Sequence, residues 1–186
     1  MGLLLGVSNA IKKALEVIAF ASGWLLIVLM CITCTDVVAR KLGIPIPLTK
    51  FQELEWYMHT ALFSMWMGYN YTINAHPRVD SYTETLRYRT KAWIEFFGCV
   101  LLALPYTYLL VHYGWFFFWT SYLQNEGSEN AVGLEHRWII KGVFYLGLWL
   151  LLLGIISVLL RLIVFLSGRR PPAEVDLQIG HAELEA

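Results

Sequence analysis

Charge is scarce in this chain of 186 residues, and the charges that it has cancel. There are 14 Lys and Arg residues and 14 Asp and Glu residues, so the formal net charge at pH 7 is +0. Nucleic-acid binding needs a strong positive field on one surface, and this balance does not supply it. We therefore expect no nucleic-acid partner.

The sequence also lacks the short motifs of common catalytic sites. It contains no G-x-S-x-G, no H-E-x-x-H and no glycine-rich phosphate loop, whereas enzymes need a convergent nucleophile, base and electrophile. Cysteine is rare, and Cys31, Cys34 and Cys99 all lie in apolar runs, where a thiol behaves as a small hydrophobic group. The sequence predicts no catalytic, cofactor or metal site and no disulfide framework.

Apolar residues are what the sequence has in excess. Hydrophobic residues make up 58% of the chain and aromatic residues 15%, which is more than a soluble domain of this length carries. A run of about 20 apolar residues is long enough to cross the hydrocarbon core of a bilayer. The composition therefore predicts an all-α integral membrane protein.

Four transmembrane helices account for most of the chain, and they form one predicted membrane domain over residues 14–166. The spans are predicted at about 14–38, 49–75, 92–119 and 138–166. Short amphipathic segments flank the spans: residues 1–13 are expected to lie in the membrane interface and residues 81–91 along its surface. Residues 167–186 are expected to form an unstructured tail.

Basic residues indicate how the spans are oriented. With the N-terminus inside, nine of the 14 basic residues fall on the cytoplasmic side, and the positive-inside rule favours that arrangement. Both termini, including the tail, are therefore predicted to be cytoplasmic. Arg78 and Asp80, at the inner end of the second span, are expected to pair with each other or to contact lipid headgroups and a partner.

The second predicted span is the least apolar, and its polar residues share one side. At 100° per residue, six residues fall within an arc of about 80°. The six residues of this stripe are Gln52, Glu55, His59, Phe63, Trp66 and Asn70. A carboxylate exposed to lipid near the bilayer centre costs about 2.5 to 3.5 kcal/mol. We therefore expect the stripe to face protein.

Two other interpretations of these residues stay open. His59 and His112 are expected at similar depths on adjacent spans, and such a pair could ligate a b-type haem in the membrane anchor of a redox complex. Alternatively, Glu53, Glu55 and His59 could line the ion path of a self-contained small channel. Carboxylates in the first turns of a helix more often offset its macrodipole, however, and membrane histidines are more often hydrogen-bonded interior residues.

Three stretches of the chain resemble one known family. They are residues 36–54, with Asp36-Val-Val-Ala-Arg40, Ile46-Pro-Leu48 and Gln52-Glu-Leu54; residues 76–80, His-Pro-Arg-Val-Asp; and residues 126–141, with Glu126-Gly-Ser128, Gly133-Leu134, Arg137-Trp138 and Lys141. Their order relative to the four spans resembles that of the small membrane subunit of tripartite ATP-independent periplasmic (TRAP) transporters, the DctQ family.

The resemblance implies a function and a set of partners. In this family a soluble periplasmic protein captures an organic acid and delivers it to a complex of the small subunit and a larger permease in the bacterial inner membrane. An ion gradient, commonly of sodium, drives uptake. The large permease, the periplasmic solute-binding protein and membrane lipids are thus the expected partners.

The resemblance also suggests which residues meet those partners. Candidates for the permease interface are Gln52, Glu53, Glu55, His59, Trp66, Asn70, Arg78 and Asp80. Candidates for a periplasmic docking loop are Glu126, Ser128 and Arg137.

Overall fold

The computed structural model describes residues 2–45, 47–75, 86–168, 171–177 and 179. Every regular element in these residues is helical, which confirms the prediction of an all-α protein. The elements in chain order are α1 (Gly2–Gly23), α2 (Leu25–Leu42), α3 (Leu48–Thr72), α4 (Tyr88–Gly98), a π-helical turn (Cys99–Ala103), α5 (Leu104–Leu123), α6 (Trp138–Leu166) and α7 (Pro172–Val175).

Three helical stretches are long and apolar enough to cross a membrane: Gly2–Leu42, Tyr88–Leu123 and Trp138–Leu166. They contain the first, third and fourth predicted spans. α3 has 25 residues, which is long enough to cross, but it is less apolar than the other three stretches. The chain is therefore a multi-pass membrane protein, and the crossing of α3 stays a prediction.

α6 is the central helix, and α1, α3, α4 and α5 all pack against it. Aromatic contacts fix the direction of α5 relative to α6. The rings of Tyr122 and Trp138 lie 5.2 Å apart between centroids, and those of Phe118 and Tyr145 lie 6.2 Å apart. Since residue numbers fall along α5 as they rise along α6, these two helices are antiparallel.

Small residues allow α3 to approach α6 very closely. A Cβ atom added at Gly154 would lie 2.5 Å from the carbonyl oxygen of Gly68, and one added at Gly147 would lie 2.6 Å from the Cβ of Ser64. Side chains of this size let helix backbones approach inside a membrane. Because Ser64 faces Gly147 and Gly68 faces Gly154, α3 and α6 run in the same direction.

The N-terminal helix does not break where the interfacial segment was predicted to end. α1 continues through residues 13 and 14, and the break between α1 and α2 lies at Trp24. The Ser8 hydroxyl lies 2.9 Å from the Ser157 hydroxyl, so the first turns of α1 pack against α6. The location of residues 1–13 in the membrane interface stays a prediction.

The third predicted span contains a local irregularity near Pro105. α4, the π-helical turn and α5 follow one another without interruption, and the π-helical turn ends two residues before the proline. Proline cannot donate a backbone hydrogen bond and its ring crowds the carbonyl four residues earlier, so a wider turn relieves both problems. Residues 88–91, predicted as part of the surface segment, form the first turn of α4.

The tail differs from its prediction. Pro172–Val175 form the short helix α7, and Val175, Leu177 and Ile179 are buried against the end of α6. The prediction of an unstructured tail is therefore wrong for residues 171–177 and 179. The prolines and acids dominate the composition of this stretch, but every second residue from Val175 to Ile179 is apolar and can enter one shared cluster.

Replacing Gly154 by Ala is expected to destabilise the bundle by about 1 to 3 kcal/mol, the usual cost of overpacking a tight contact. The reason is that the added Cβ would overlap the backbone of Gly68. Thermal unfolding in detergent, followed by circular dichroism, measures the effect. Gly98→Ala is the matched control, because nothing lies within 4 Å of a Cβ at that helical position. Equal stability of the two variants would contradict the close α3–α6 contact.

Candidate functional site

Polar side chains gather at one end of the bundle, where α2 ends, α3 begins, α5 ends and α6 begins. We call it the loop end, and the opposite end, where α1 and α4 begin and α6 ends, the tail end. The loop end contains residues 124–137, the connection between α5 and α6. This loop carries all three predicted docking residues.

The connection between α5 and α6 is a compact loop with its own hydrogen bonds. The Arg137 backbone N–H donates to the Glu126 carbonyl at 2.8 Å and closes the base of the loop, and the Ser128 N–H donates to the Leu134 carbonyl at 3.0 Å. Asn125 and His136 adopt positive φ angles of 45° and 61° next to this closure. A loop whose ends meet and whose interior is hydrogen-bonded presents a defined surface.

Glu53, in the second turn of α3, anchors this loop. One carboxylate oxygen accepts the Leu134 backbone N–H at 2.6 Å, and the other accepts the Asn130 side-chain amide at 2.9 Å and the Ser128 hydroxyl. Gly133 makes the approach possible, since a Cβ there would lie 2.6 Å from the Glu53 carboxylate. The carboxylate of Glu53 is therefore used within this chain.

Four charged residues extend the network over the start of α6. The Lys141 ammonium pairs with Glu126 and lies 4.1 Å from the centroid of the Phe117 ring. The Arg137 guanidinium lies 3.2 Å from Glu129 and 4.0 Å from Glu126. The hydrogen bond from Lys141 is the largest cause that lowers the pKa of the Glu126 carboxyl below its ordinary value. Glu126 is therefore ionised at neutral pH.

A cleft of about 360 Å³ opens beside this network. Trp56 on its rim is 75% exposed, and the Arg137 side chain is 38% exposed. The nine residues that line the cleft are Thr49, Gln52, Glu53, Trp56, Tyr57, Ser128, Glu129, Asn130 and Arg137. An exposed aromatic ring beside accessible charges offers the combination that protein interfaces favour.

A second polar cluster at the loop end ties α2 to α3. The Arg40 Nε donates to the Asp36 carboxylate at 2.9 Å. With its amide oxygen turned toward the guanidinium, Gln52 accepts from the two terminal nitrogens of Arg40 at 2.7 and 2.9 Å. One oxygen of Asp36 and one of Glu55 are buried without a hydrogen-bond partner among the described residues. The predicted candidates Gln52 and Glu55 thus belong to this cluster.

Most of the stripe on α3 faces away from α6. Gln52, His59 and Phe63 are exposed, while Ala61, Ser64 and Gly68 supply the buried face toward α6. Gln52 and Trp66 nevertheless contact α2 and α1, so the expectation that the whole stripe faces protein stays a prediction.

The stripe also borders a groove between α3 and α1. The indole N–H of Trp66 donates to the Ala19 carbonyl of α1 at 2.9 Å. Asn70 and Trp66 line a groove of about 590 Å³ together with the exposed Glu16 of α1. This part of the stripe therefore combines an internal helix contact with an open surface.

The structure does not bring His59 and His112 together. α3 and α5 both pack on α6 and make little contact with each other, and both histidines are exposed. The ring of His112 contacts two rings of its own helix: it stacks on Tyr108, at 6.3 Å between centroids, and meets Phe116 edge to face, at 5.4 Å. The described chain therefore forms no two-histidine haem pocket between these residues.

The proposed ion path through Glu53, Glu55 and His59 is not assembled either. Glu53 is bound by the loop, Glu55 lies next to the Arg40 cluster, and His59 is exposed further along α3. The other predicted candidates, Arg78 and Asp80, lie outside the described residues.

Sequence reasoning missed some of the partners in this site. It selected Glu53, Ser128 and Arg137, which the structure brings together, but it did not select Asn130 or the backbone N–H of Leu134. A backbone donor carries no side-chain signal in a sequence. The alternation of Ser, Asn and Gly in residues 127–133 was the available indication of a structured turn.

Three apolar helical stretches define a multi-pass membrane protein, and the last two are joined by a loop whose polar groups bind the start of α3. Residues 29–165 match the family model described as the DctQ component of tripartite ATP-independent periplasmic transporters. The chain therefore belongs to the DctQ family and is a small component of a TRAP transporter. No curated protein and no solved structure matches it.

Replacing Glu53 by Ala is expected to release the loop, because three donors lose their shared acceptor. Deuterium uptake by residues 126–135 should rise, as measured by hydrogen-exchange mass spectrometry of the detergent-solubilised protein. Gly133→Ala should raise uptake as well, since its Cβ would displace Ser128 and Glu53. Gly127→Ala is the control within the same loop, because a Cβ there meets nothing within 4 Å. Unchanged uptake in both test variants would show that Glu53 is not the anchor.

The loop should also respond to acid through Glu126. Its pKa is lowered by Lys141, so the pair stabilises the loop fully above the ordinary carboxyl pKa of 4.5 and is lost as the pH falls through the lowered value. A spin label at Val132, which is 65% exposed, should stay ordered at pH 5 and become mobile only below 4.5. In Lys141→Met the midpoint should move to higher pH. The same midpoint in both proteins would exclude this pair as the cause.

Proposed function

We propose that this chain is the small, non-catalytic subunit of a TRAP-type secondary transporter, which braces the large permease in the membrane and helps to dock a periplasmic substrate-binding protein. The observation that carries the proposal is the family match over residues 29–165, which includes α3, the loop and most of α6. Transport itself would be driven by an ion gradient, with sodium as the expected ion and an organic acid as the expected solute.

A brace needs a fixed shape across the bilayer, and the packing of α3 supports one. α3 runs in the same direction as α6 and lies against its first half. In a chain of four spans with alternating directions, the second and fourth spans must be parallel, and α3 and α6 meet that condition. This supports four crossings with both termini on one side of the membrane. The excess of basic residues predicted on that side favours the cytoplasm for the termini and the periplasm of a bacterial inner membrane for the loop end.

The exposed stripe of α3 is the proposed permease interface. Gln52 and His59 would each offer a hydrogen bond to a facing helix, worth about 0.5 to 2 kcal/mol in lipid, and Phe63 would add packing. Their exposure in this chain leaves them available to a partner. Arg78 and Asp80, which lie outside the described residues, stay predicted contacts of the permease.

The loop end is the proposed contact for the substrate-binding protein. Glu53 holds the loop in one shape before any partner arrives, which lowers the entropy that binding must overcome. Trp56, Glu129 and Arg137 then present an aromatic ring and both signs of charge beside the cleft. Glu126 and Ser128 support this surface from beneath by holding Lys141 and Glu53.

The permease interface can be tested with the double variant His59→Leu/Asn70→Leu. Leucine favours helix formation, so the two substitutions should preserve α3 while each removes one polar side chain from the stripe. We expect the binding constant for the large permease in mild detergent, read from the copurified amount, to fall by roughly thirtyfold, since two interhelical hydrogen bonds at about 1 kcal/mol each are lost. Quantitative mass spectrometry of the tagged complex gives the measurement.

Tyr108→Leu/Tyr113→Leu is the matched control for this pull-down. Both tyrosines are about two-thirds exposed on α5, at 64% and 66%, so the control removes polar groups from a different exposed face. Copurification should be unchanged. If only the α5 variant lost the permease, the interface would lie on α5 and the proposed α3 interface would be wrong. A pull-down of the wild-type chain without any multi-span permease would reject the proposed function itself.

A further inference from the structure

A fully buried arginine lies near the end of the most apolar helix. Arg161 on α6 is only 3% exposed. Its Nε donates to the Ser8 hydroxyl at 2.8 Å, and one terminal nitrogen donates to the Asn9 side-chain oxygen at 2.9 Å. These bonds hold α1 against α6. They satisfy part of the guanidinium, but they supply no negative charge.

The negative charge comes from the C-terminal segment. The other terminal nitrogen of Arg161 donates to the Asp176 carboxylate at 2.7 Å, and also to the backbone carbonyls of Val175 and Asp176 at 3.2 and 2.5 Å. The Lys12 ammonium of α1 lies 2.5 Å from the same carboxylate. A buried cation that loses its partner is strongly destabilising, so the segment contributes more than a surface contact.

Apolar contacts fix the same segment on both sides of its carboxylate. Val175, Leu177 and Ile179 are 1%, 7% and 4% exposed. The Tyr88 hydroxyl of α4 donates to the Leu177 carbonyl at 2.6 Å. The three apolar side chains enter a cluster with members on three helices, among them Leu5 of α1, Ala92 of α4 and Leu162 of α6. Three helices therefore meet the segment.

We propose that the tail end of the bundle is a peptide-binding site, and that residues 171–177 and Ile179 occupy it as a strap that ties α1 and α4 to α6. The site accepts a peptide that carries apolar side chains at alternate positions and a carboxylate between the first two, with the carboxylate residue in the left-handed conformation that Asp176 adopts (φ 50°). Arg161 and Lys12 bind the carboxylate, and the cluster around Leu162 binds the apolar side chains. This inference does not depend on the proposed transport function.

Zero-length cross-linking of the full chain in lipid nanodiscs tests the strap directly. A carbodiimide joins an amine to a carboxylate only where the two are in contact, with loss of one water, so the docked strap should give a Lys12–Asp176 amide. Tandem mass spectrometry identifies the linked peptides. The Lys141–Glu126 pair at the loop end serves as the internal standard, because it is also a direct ion pair.

The variant Leu177→Gln tests whether the cross-link requires the segment to be docked, or only requires that both reactive groups are present. It leaves Lys12 and Asp176 in place but puts a polar side chain into the apolar cluster. Because the polar amide cannot replace the buried leucine in that cluster, the ratio of Lys12–Asp176 product to Lys141–Glu126 product should fall by about tenfold or more. Val132→Gln, at an exposed position of the loop end, should leave the ratio unchanged.

Two results would overturn the strap. One is formation of the Lys141–Glu126 product without any Lys12–Asp176 product in the wild-type chain. The other is an equal product ratio in Leu177→Gln and the wild type, which would mean that the apolar side chains do not hold the segment.

Discussion

The close contact between α3 and α6 sets the geometry on which the other features depend. Ser64 and Gly68 must face Gly147 and Gly154, because no larger side chains fit between the backbones. This requirement fixes the rotation of α3 about its own axis. Glu53 lies 11 residues before Ser64, which is close to three full turns, so it points to the same side of the helix. The contact in the membrane thereby directs Glu53 toward the loop that leads into α6.

The same rotation turns the polar stripe outward. His59 and Asn70 lie roughly 140° and 120° from Ser64 around the helix, so a helix that packs its small residues on α6 must present these groups elsewhere. The stripe and the loop anchor are thus two consequences of one packing contact. A substitution at Gly68 or Gly154 is therefore expected to disturb both the stripe and the Glu53 loop anchor, although neither glycine contacts them.

Much of this arrangement follows from residue patterns, and the exceptions have physical causes. Apolar runs located the helices, and the family motifs pointed to Glu53, Ser128 and Arg137. The sequence assigned Glu53 to the permease interface and the other two to the docking loop, whereas the structure brings all three to the same loop end. The strap was missed because its carboxylate pairs with Lys12, 164 residues earlier in the chain, and with Arg161, which lies inside an apolar span. Long-range pairing of this kind leaves no local pattern. The π-helical turn before Pro105 was also not predicted, because the presence of a proline indicates a disrupted helix but not the form that the disruption takes.

The exposed faces of α3 and α5 differ in a way that bears on which one meets a protein. α5 exposes mainly aromatic side chains, including Tyr106, Phe116 and Trp119, and the ring of its exposed His112 packs against Tyr108 and Phe116 of the same helix. Amphipathic rings of this kind are stable against lipid and its interfaces. α3 exposes His59 and the amide nitrogen of Gln52, which gain nothing from hydrocarbon. A helix retains such groups at low cost only if another protein supplies donors and acceptors. The contrast therefore favours α3, with its backbone already fixed by α6, as the side on which a partner helix completes the structure.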